Sequence, residues 1–291
     1  MAIRFYKYHG TGNDFILLDD RQKLLKTDDP EIQSLMAAWC NRHTGIGADG
    51  LILIREAVKA DFEMVFFNSD GRPGSMCGNG GRCAVAFAHR LGIVNSETTF
   101  LATDGLHHAY LTGKKGNRLA ISLGLNNTDM PVSRQGHYFV HTGSPHVVVF
   151  SPGVADMDVV REGRNLRNSS VYSKEGVNVN FAENLLNGAF LVRTYERGVE
   201  NETLSCGTGA TAVAIAAWQH FPENRSDSRE SRYDSREIST RGGRLLVSFS
   251  PPSEGKQFFS DIFLHGPAEM VFSGSIRLKA RNKGKSRNKG R

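Results

Sequence analysis

The sequence predicts an α+β protein whose two halves follow the same plan. Short apolar or alternating stretches between turn residues dominate the chain and indicate strands. In each half, a strand runs into a Cys-Gly-x-Gly turn that opens an alanine-rich helix. The two turns are Cys77-Gly78-Asn79-Gly80 and Cys206-Gly207-Thr208-Gly209. A chain of 291 residues with 39% hydrophobic content can fill two modest cores.

The first half reads as a series of strands with a buried helix among them. Strands at 4–5 and 15–18 flank a glycine-rich turn, and 30–40 is predicted to be a helix with Pro30 in its first turn. Further strands, rich in β-branched and aromatic residues, are predicted at 51–54, 62–68, 98–103, 108–111 and 119–123. The alanine-rich helix runs from about 80 to 91 and ends at Gly92, since glycine commonly follows a helix.

The second half repeats this order. Strands are predicted at 138–141, 146–150, 178–181 and 189–195, then a helix at 208–220 that Pro222 stops, then strands at 244–250, 262–264 and 269–272. Both alanine-rich helices are nearly apolar around their circumference, so we expect the sheets to bury them. We predict an N-terminal domain at 1–124, a C-terminal domain at 125–262, and a strand at 263–278 that returns to the first domain.

Two charged segments stand apart from this plan. The net charge of +6 comes from residues 279–291, which hold seven Lys or Arg; without them the charge becomes −1. We expect this basic tail to be disordered and to make at most weak contact with nucleic acid. Segment 223–237 reads as a solvated insertion or as a docking arm, because it is rich in Ser and acidic residues and carries arginines at helical spacing. Those arginines are Arg225, Arg229, Arg232 and Arg236.

The sequence composition also indicates the cellular compartment of the protein. The sequence shows no signal-peptide pattern and no run of the roughly 20 apolar residues that a bilayer requires, so we expect a cytoplasmic protein without membrane contact. Four cysteines are too few for a disulfide scaffold in a chain of this length. Cys40 and Cys83 lie inside predicted helices and read as small core residues.

Cys77 and Cys206 differ from the other two because each stands in a glycine turn at a helix start. A thiol acts as a base only as thiolate, and a helix N-terminus lowers the pKa of a thiol. The amides of such turns also form an anion site. A carboxylate held between the turns would place one thiol on each face of its α-carbon. One thiol could then remove the α-proton while the other supplies a new one, which inverts the centre.

Two other readings of these turns fit the residues less well. A zinc site would need a Cys-x₂₋₄-Cys spacing or a compact histidine pair, and Cys77 and Cys83 have neither. A phosphate-binding loop would need the Gly-Lys-Ser/Thr ending, which both turns lack. We therefore predict no metal.

Several polar residues occupy places that suggest a pocket for a zwitterion. Asn13, Asn68 and Asn178 sit at the ends of apolar strands, where an amide needs polar surroundings. Glu196 and Arg197 offer an acceptor for an ammonium group and a fork for a carboxylate. His146 opens an apolar run, where it is either a satisfied core residue or a proton carrier for a thiol.

At these residues the sequence resembles the diaminopimelate epimerase family. The matching motifs run in the family's order from residue 9 to residue 272: HGTGNDF, RHTGIGADG, FFNSDG, MCGNGGRC, TGSPH, EGVNVNF, YERGVENETLSCGTGA and HGPAEMVF. The resemblance implies two pseudo-symmetric domains, each a mostly antiparallel sheet wrapped around a central helix, with the active site between them. It also implies interconversion of LL- and meso-diaminopimelate for lysine and peptidoglycan synthesis, with no cofactor.

The resemblance assigns roles by position. It makes Cys77 and Cys206 the two catalytic bases, with His146 near the first and Glu196 near the second. The groups that hold the reacting carboxylate are then Gly78, Asn79, Gly207 and Thr208. Asn13 would line the reacting end of the substrate. The groups that bind the distal end would be Asn68, Asn178 and Arg197.

Two positions depart from the family pattern. Ser144 stands where an asparagine often precedes Pro-His, and Gly50 stands where a glutamine often follows the aspartate. We expect Ser144 to reach the distal end of the substrate only through a water molecule or in a changed substrate pose. The charged segment 223–237 and the basic tail lie outside the pattern.

The sequence leaves two other function classes open. One is a related two-cysteine racemase acting on another amino acid, although Asn79 argues against the proline type, which usually has histidine there. The other is a protein that only binds amino acids or that exchanges thiols. We expect a small-molecule substrate and a homodimer.

Overall fold

The computed structural model describes residues 2–174, 176–185, 188–225 and 233–277, which form 17 strands and four α-helices. The predicted tail at 279–291 lies outside these residues, as do Arg229 and Arg232 of segment 223–237. None of the helices in the described ranges combines the length and the apolar character needed to cross a membrane.

The first half contains seven strands and two helices. The strands are β1 (Ala2–Gly10), β2 (Asn13–Asp19), β3 (Gly50–Arg55), β4 (Phe62–Asn68), β5 (Glu97–Ala102), β6 (Gly105–Lys115) and β7 (Arg118–Leu125). The helices are α1 (Pro30–Cys40), between β2 and β3, and α2 (Gly78–Arg90), between β4 and β5. Asp29 caps α1 by accepting a hydrogen bond from the Glu31 amide, and a proline occupies the first turn as predicted.

Two short strands, β8 (Thr128–Asp129) and β9 (Val132–Arg134), lead into the second half. Its strands are β10 (His137–His141), β11 (Pro145–Phe150), β12 (Asn178–Asn184), β13 (Phe190–Glu196), β14 (Asn201–Thr203), β15 (Asp234–Thr240), β16 (Gly243–Ser250) and β17 (Phe258–Arg277). Its helices are α3 (Val159–Arg167), between β11 and β12, and α4 (Gly207–His220), between β14 and β15.

Strand pairing shows that the halves repeat one plan. From β1 to β7, successive pairs are antiparallel, parallel, antiparallel, parallel, antiparallel and antiparallel. The same order recurs along β10, β11, β12, β13, β15, β16 and β17. Each parallel pair is joined through a helix, as parallel strands require a crossover connection. The prediction of an α+β fold with two similar halves is confirmed.

Each half packs one helix against the inner face of its sheet and another against the outer face. In β2, Phe15 and Leu17 join the core around α2, while Ile16 and Leu18 join the core under α1. The second half matches this arrangement, with one core around α4 and another beside α3. Because the alanines of α2 and α4 are small, the strands can approach these central helices closely and bury them, as predicted.

Strand β17 connects the two halves. It pairs with β16 at residues 260–265, with β7 at 262–269 and with β1 at 269–277, in each case antiparallel. The strands predicted at 262–264 and 269–272 are therefore parts of one 20-residue strand. The Gly266-Pro267 pair, which reads as a break in the sequence, lies within it.

Two elements differ from the sequence prediction. Helix α3 was not predicted because it buries only Val159 and Gly163 and so carries little apolar periodicity. The helical spacing of the arginines in segment 223–237 suggested a helix, but the C-terminal end of this segment is a strand. Residues from Asp234 onward form β15, and Arg236 is buried there against Asp234 by an ion pair. This end of the segment belongs to the sheet and is not a solvated insertion.

Candidate active site

The two cysteine turns have the same backbone geometry. Cys77 is the residue that precedes α2, with φ −116° and ψ 123°, and Cys206 precedes α4, with φ −117° and ψ 116°. Both are therefore in an extended conformation immediately before the first helical turn, where backbone amides lack helical partners. Each thiol thus lies at the positive end of a buried helix.

These turns meet at the junction of the halves. A methyl group added at Gly207 would lie 3.4 Å from Gly78 Cα and 3.6 Å from the Asn79 amide nitrogen. The same addition at either glycine would also come within 2.9 Å of Leu264 Cδ2. The two helix N-termini can approach this closely because both positions lack a side chain.

A cavity of about 930 Å³ opens over the paired turns. Its walls include every predicted site residue except His146, which is fully buried behind them. These lining residues are Asn13, Asn68, Cys77, Gly78, Asn79, Asn178, Glu196, Arg197, Cys206, Gly207 and Thr208. Among the described residues, no group of three or more His, Cys, Asp or Glu is placed to hold a metal ion.

The prediction that the helix starts lower the pKa of the thiols is wrong in its net direction. Burial raises the pKa of Cys77, and it raises the pKa of Cys206 to about 12. Backbone N–H groups do oppose this effect, from Gly80 and Asn79 at the first thiol and from Gly209 at the second. Desolvation outweighs them although both thiols line the cavity and are only half-buried, because the surrounding protein displaces most of the water around the sulfurs.

Each thiol has hydrogen-bond partners in the surrounding protein. Cys77 Sγ donates to Asn13 Oδ1 at 3.6 Å, and the Asn13 amide is oriented by its own donation to Asp49 Oδ2 at 2.7 Å. Backbone N–H groups also act on both sulfurs, from Gly80 and Asn79 at Cys77 and from Gly209, at 3.4 Å, at Cys206. Donation suits a thiol and acceptance suits a thiolate, so the surroundings of Cys77 can support either state.

A hydrogen-bonded chain supports Cys206 from behind. His146 Nε2 lies 3.0 Å from Thr208 Oγ1, which lies 3.4 Å from Cys206 Sγ. Asn180 Nδ2 donates to the Val147 carbonyl and also lies 3.1 Å from His146 Nδ1, so this ring nitrogen is an acceptor. The ring proton is therefore on Nε2 and is available to Thr208, whose own hydroxyl proton can point at the sulfur.

His146 is consequently part of the Cys206 side of the site. The resemblance placed it near Cys77, whereas its hydrogen bonds lead to Cys206 through Thr208. Burial lowers the pKa of His146 to about 3, so the imidazole is neutral at neutral pH. It acts as a hydrogen-bond donor and not as a cation.

Glu196 lies at the end of β13 and influences both thiols. Its charge raises the pKa of Cys77 and of Cys206. Burial raises the pKa of Glu196 itself, although the nearby Thr203 side chain opposes the change. The carboxyl group therefore affects both thiols rather than Cys206 alone.

Asn178 and Ser144 connect the distal wall with the thiol wall. Asn178 Oδ1 accepts the Arg197 backbone N–H at 2.9 Å, and Asn178 Nδ2 donates to Ser144 Oγ at 3.3 Å. Ser144 Oγ also lies 2.9 Å from His146 Nε2. Ser144 thus links Asn178 to His146 by hydrogen bonds. Asn68 lies apart from these three residues, on the exposed end of β4.

The second departure, Gly50, is explained by a phenylalanine. A methyl group at position 50 would lie 2.5 Å from Phe66 Cε2 and 2.7 Å from the Phe67 carbonyl oxygen. The Phe66 ring, which lines the cavity, occupies the space that a longer residue at position 50 would need.

A second polar network was missed from the sequence. Asn79 Nδ2 donates to the Ser205 carbonyl at 2.9 Å, across the junction between the halves. Asn79 Oδ1 accepts from Arg82 Nη2 at 2.7 Å, and Thr11 Oγ1 donates to Ser205 Oγ at 3.0 Å. The position of Arg82 five residues after Cys77 was a signal, but two of its acceptors, Thr11 and Pro267, come from distant segments.

Known proteins resemble this chain over nearly its whole length. A family model described as diaminopimelate epimerase matches residues 5–121 and 138–271. A diaminopimelate epimerase of Flavobacterium psychrophilum is 45% identical over 274 residues, which cover 94% of this chain and 100% of the relative. A diaminopimelate epimerase of Chlorobaculum tepidum is 39% identical over 92% of this chain and 99% of the relative.

Solved structures share the fold at lower sequence identity. A phenazine biosynthesis protein of Bacillus anthracis is 14% identical with a TM-score of 0.69, and covers 96% of this chain and 100% of its own. A hydroxyproline epimerase from Agrobacterium vitis is 14% identical with a TM-score of 0.68, over 96% of this chain and 94% of its own. The family match in both halves, together with 45% identity to a full-length relative, shows that the chain belongs to the diaminopimelate epimerase family.

Proposed function

We propose that this protein interconverts LL- and meso-diaminopimelate by a two-base mechanism in which Cys77 and Cys206 act on opposite faces of one α-carbon. The observation that carries the proposal is the meeting of two helix N-termini, each headed by a thiol, at the floor of one cavity. Family membership supports the choice of substrate.

At the reacting end, the exposed amides of the two turns would hold the α-carboxylate. Amides at helix N-termini bind anions well because their N–H groups have no helical partner. Bound there, the carboxylate lies between the sulfurs, and negative charge that develops when the α-proton leaves is stabilised by the same amides. Gly78, Asn79, Gly207 and Thr208 supply them.

The reaction needs the two cysteines in opposite protonation states. One cysteine must enter as thiolate to remove the proton, and the other as thiol to deliver one. Backbone N–H groups at both sulfurs support a thiolate at either position, and Cys77 donates to Asn13 when it is a thiol. Each turnover exchanges these states, and the reverse reaction restores them.

The distal amino-acid group would lie against Asn68, Asn178 and Arg197. The guanidinium of Arg197 can pair with a carboxylate through two hydrogen bonds. Asn178 is already bonded to the Arg197 backbone and to Ser144, so it would fix this wall in place. We infer that the protein acts in lysine and peptidoglycan precursor synthesis in the cytoplasm. We further infer that it needs no cofactor and forms a homodimer.

The deciding experiment incubates the reduced protein with LL-diaminopimelate in deuterated buffer. Proton NMR would follow loss of the α-proton signal, and chiral analysis would follow the ratio of stereoisomers. We expect deuterium at the α-position together with meso product. If a folded, reduced protein showed no exchange, the proposal that diaminopimelate is the substrate would be contradicted. The same assay with other amino acids would then identify a racemase of different specificity.

Cysteine variants separate an epimerase from a protein that only binds. Cys77→Ala and Cys206→Ala should each abolish interconversion while calorimetry still detects binding of the substrate. Cys40→Ala, in the α1 core, is the matched control, because it removes a buried thiol outside the cavity. Interconversion that survives either of the first two changes would rule out the two-base mechanism.

A further inference from the structure

Arg82 is a fully buried cation that has no role in the reaction as proposed above. Its side chain has no measurable exposure, although it lies on α2 only five residues after Cys77. Burial lowers the pKa of Arg82 only to about 10, so the guanidinium remains charged at neutral pH.

The hydrogen-bond partners of Arg82 are all neutral oxygens. They are Asn79 Oδ1 at 2.7 Å, Gly78 O at 3.3 Å, Thr11 Oγ1 at 3.3 Å and Pro267 O at 3.4 Å. Throughout the described part of the chain, no carboxylate forms an ion pair with it. A buried charge without a counter-ion is costly, so such a residue is expected to face an anion during function.

The position of the guanidinium identifies that anion. Two of its acceptors, Gly78 and Asn79, belong to the turn that carries Cys77 and that would bind the substrate carboxylate. Cys83 has the larger electrostatic effect on Arg82 of the two nearby thiols, but burial strongly raises the pKa of Cys83. Cys83 also lies inside α2, where no free amides support a thiolate.

We propose that Arg82 is a positioning residue whose fixed charge stabilises the Cys77 thiolate and the carboxylate bound beside it. This inference rests on the proposed two-cysteine function. It also distinguishes the two thiols, because Cys206 is supported by the Thr208 hydroxyl and Cys77 by a cation. Of the other titratable groups near Cys77, Glu196 opposes a thiolate there, and the charge of Cys77 in turn raises the pKa of Cys206 and of Cys83.

The test measures thiolate formation at each cysteine without substrate. The full-length protein would be treated with iodoacetamide across a pH series, and mass spectrometry would give the alkylation rate of each cysteine separately. In Arg82→Met, the pH midpoint for Cys77 should rise by about one unit or more, and the midpoint for Cys206 should rise less. In Arg82→Lys, which keeps the charge, the Cys77 midpoint should stay close to that of the parent.

Cys83→Ala is the matched control, because it disturbs the same buried part of α2 without removing charge. An unchanged Cys77 midpoint in folded Arg82→Met would overturn the proposal, as would equal shifts at both cysteines. If Arg82→Met does not fold, Arg82→Lys decides alone: a Cys77 midpoint raised by one unit despite the retained charge contradicts the electrostatic role. Failure of the proposed substrate would appear separately, as absent epimerisation by a parent protein whose thiols titrate normally.

Discussion

Gly78 and Gly207 face each other at the N-termini of the two central helices: a methyl group added at Gly78 would lie 3.6 Å from Gly207 Cα, and one added at Gly207 would lie 3.4 Å from Gly78 Cα. Leu264 packs against both glycines from β17, so that an added methyl group at either would lie within 2.9 Å of its Cδ2 atom. The distance between the two thiols is therefore set by two residues without side chains and by one fully buried leucine.

Replacing either glycine with alanine should separate the turns. We expect Gly78→Ala and Gly207→Ala to lower the free energy of unfolding by about 1–3 kcal/mol, as overpacking does, and to reduce turnover by a larger factor than this destabilisation explains. Chemical denaturation and the epimerase assay check both effects. Gly113→Ala is the control, because its methyl group would have an ordinary contact of 3.7 Å with Ala120. Full activity of both site variants would show that the spacing of the turns is not critical.

Glu196 should control the pH range of activity through its charge. The carboxylate raises the pKa of both thiols, so Glu196→Gln should lower both and move the acid limb of the pH–rate profile to lower pH by about one unit. Turnover at the new optimum should fall more than substrate binding weakens, because a thiolate of lower pKa is a weaker base.

The measurement is the pH dependence of kcat and KM for the parent and for Glu196→Gln. Glu97→Gln, which changes an exposed glutamate on β5, controls for the loss of one negative charge. A parent-like profile with unchanged turnover would remove Glu196 from the mechanism.

Much of this fold could be predicted from local sequence. Alternating apolar residues identified most strands, and the alanine-rich helices were recognised as buried because they have no polar face. Helix α3 escaped because a peripheral helix needs only a narrow apolar contact. Strand β17 was divided because Gly266 and Pro267 normally interrupt strands, whereas here the Pro267 carbonyl accepts a hydrogen bond from Arg82.

The sequence was enough to predict which residues line the site, but not the pKa values of its thiols. The glycine turns identified both cysteines, yet the pKa of a thiol depends on how much protein encloses it, and the opposite half supplies much of that protein. Asn180 was not predicted because its partner His146 is 34 positions away, and Arg82 was not predicted because Thr11 and Pro267 are 71 and 185 positions away from it. Likewise, Gly50 became understandable only when Phe66 was seen to fill the space beside it.

The Thr208 hydroxyl should stabilise the Cys206 thiolate. Its hydrogen bond lowers the pKa of Cys206, against the larger effect of burial. Thr208→Val keeps the shape but removes the donor, so the alkylation midpoint of Cys206 should rise. Turnover should fall about ten- to a hundredfold, which corresponds to about 1.5–3 kcal/mol for a hydrogen bond to a charged group. Thr208→Ser, which retains the hydroxyl, is the control, and a valine variant with parent-like turnover would contradict this role.

The neutral state of His146 should be visible in both NMR and stability. Because burial lowers its pKa to about 3, ¹⁵N chemical shifts should report a neutral ring with the proton on Nε2 from pH 5 to pH 8. An imidazole that titrates near pH 6.5 in this window would refute the assigned hydrogen-bond chain.

Linkage then fixes the sign of the effect on stability. Below the unfolded pKa of about 6.5, the unfolded chain binds a proton at this residue that the folded protein does not bind. His146 should therefore contribute a loss of about 1.4 kcal/mol of unfolding free energy for each pH unit from about 6 down towards 3. In denaturation experiments across this pH range, the unfolding free energy of His146→Gln should fall less steeply with decreasing pH than that of the parent. His108→Gln is the matched replacement of an exposed imidazole on β6. Equal slopes in His146→Gln and the parent would mean that His146 takes up its proton in the folded protein as readily as in the unfolded chain.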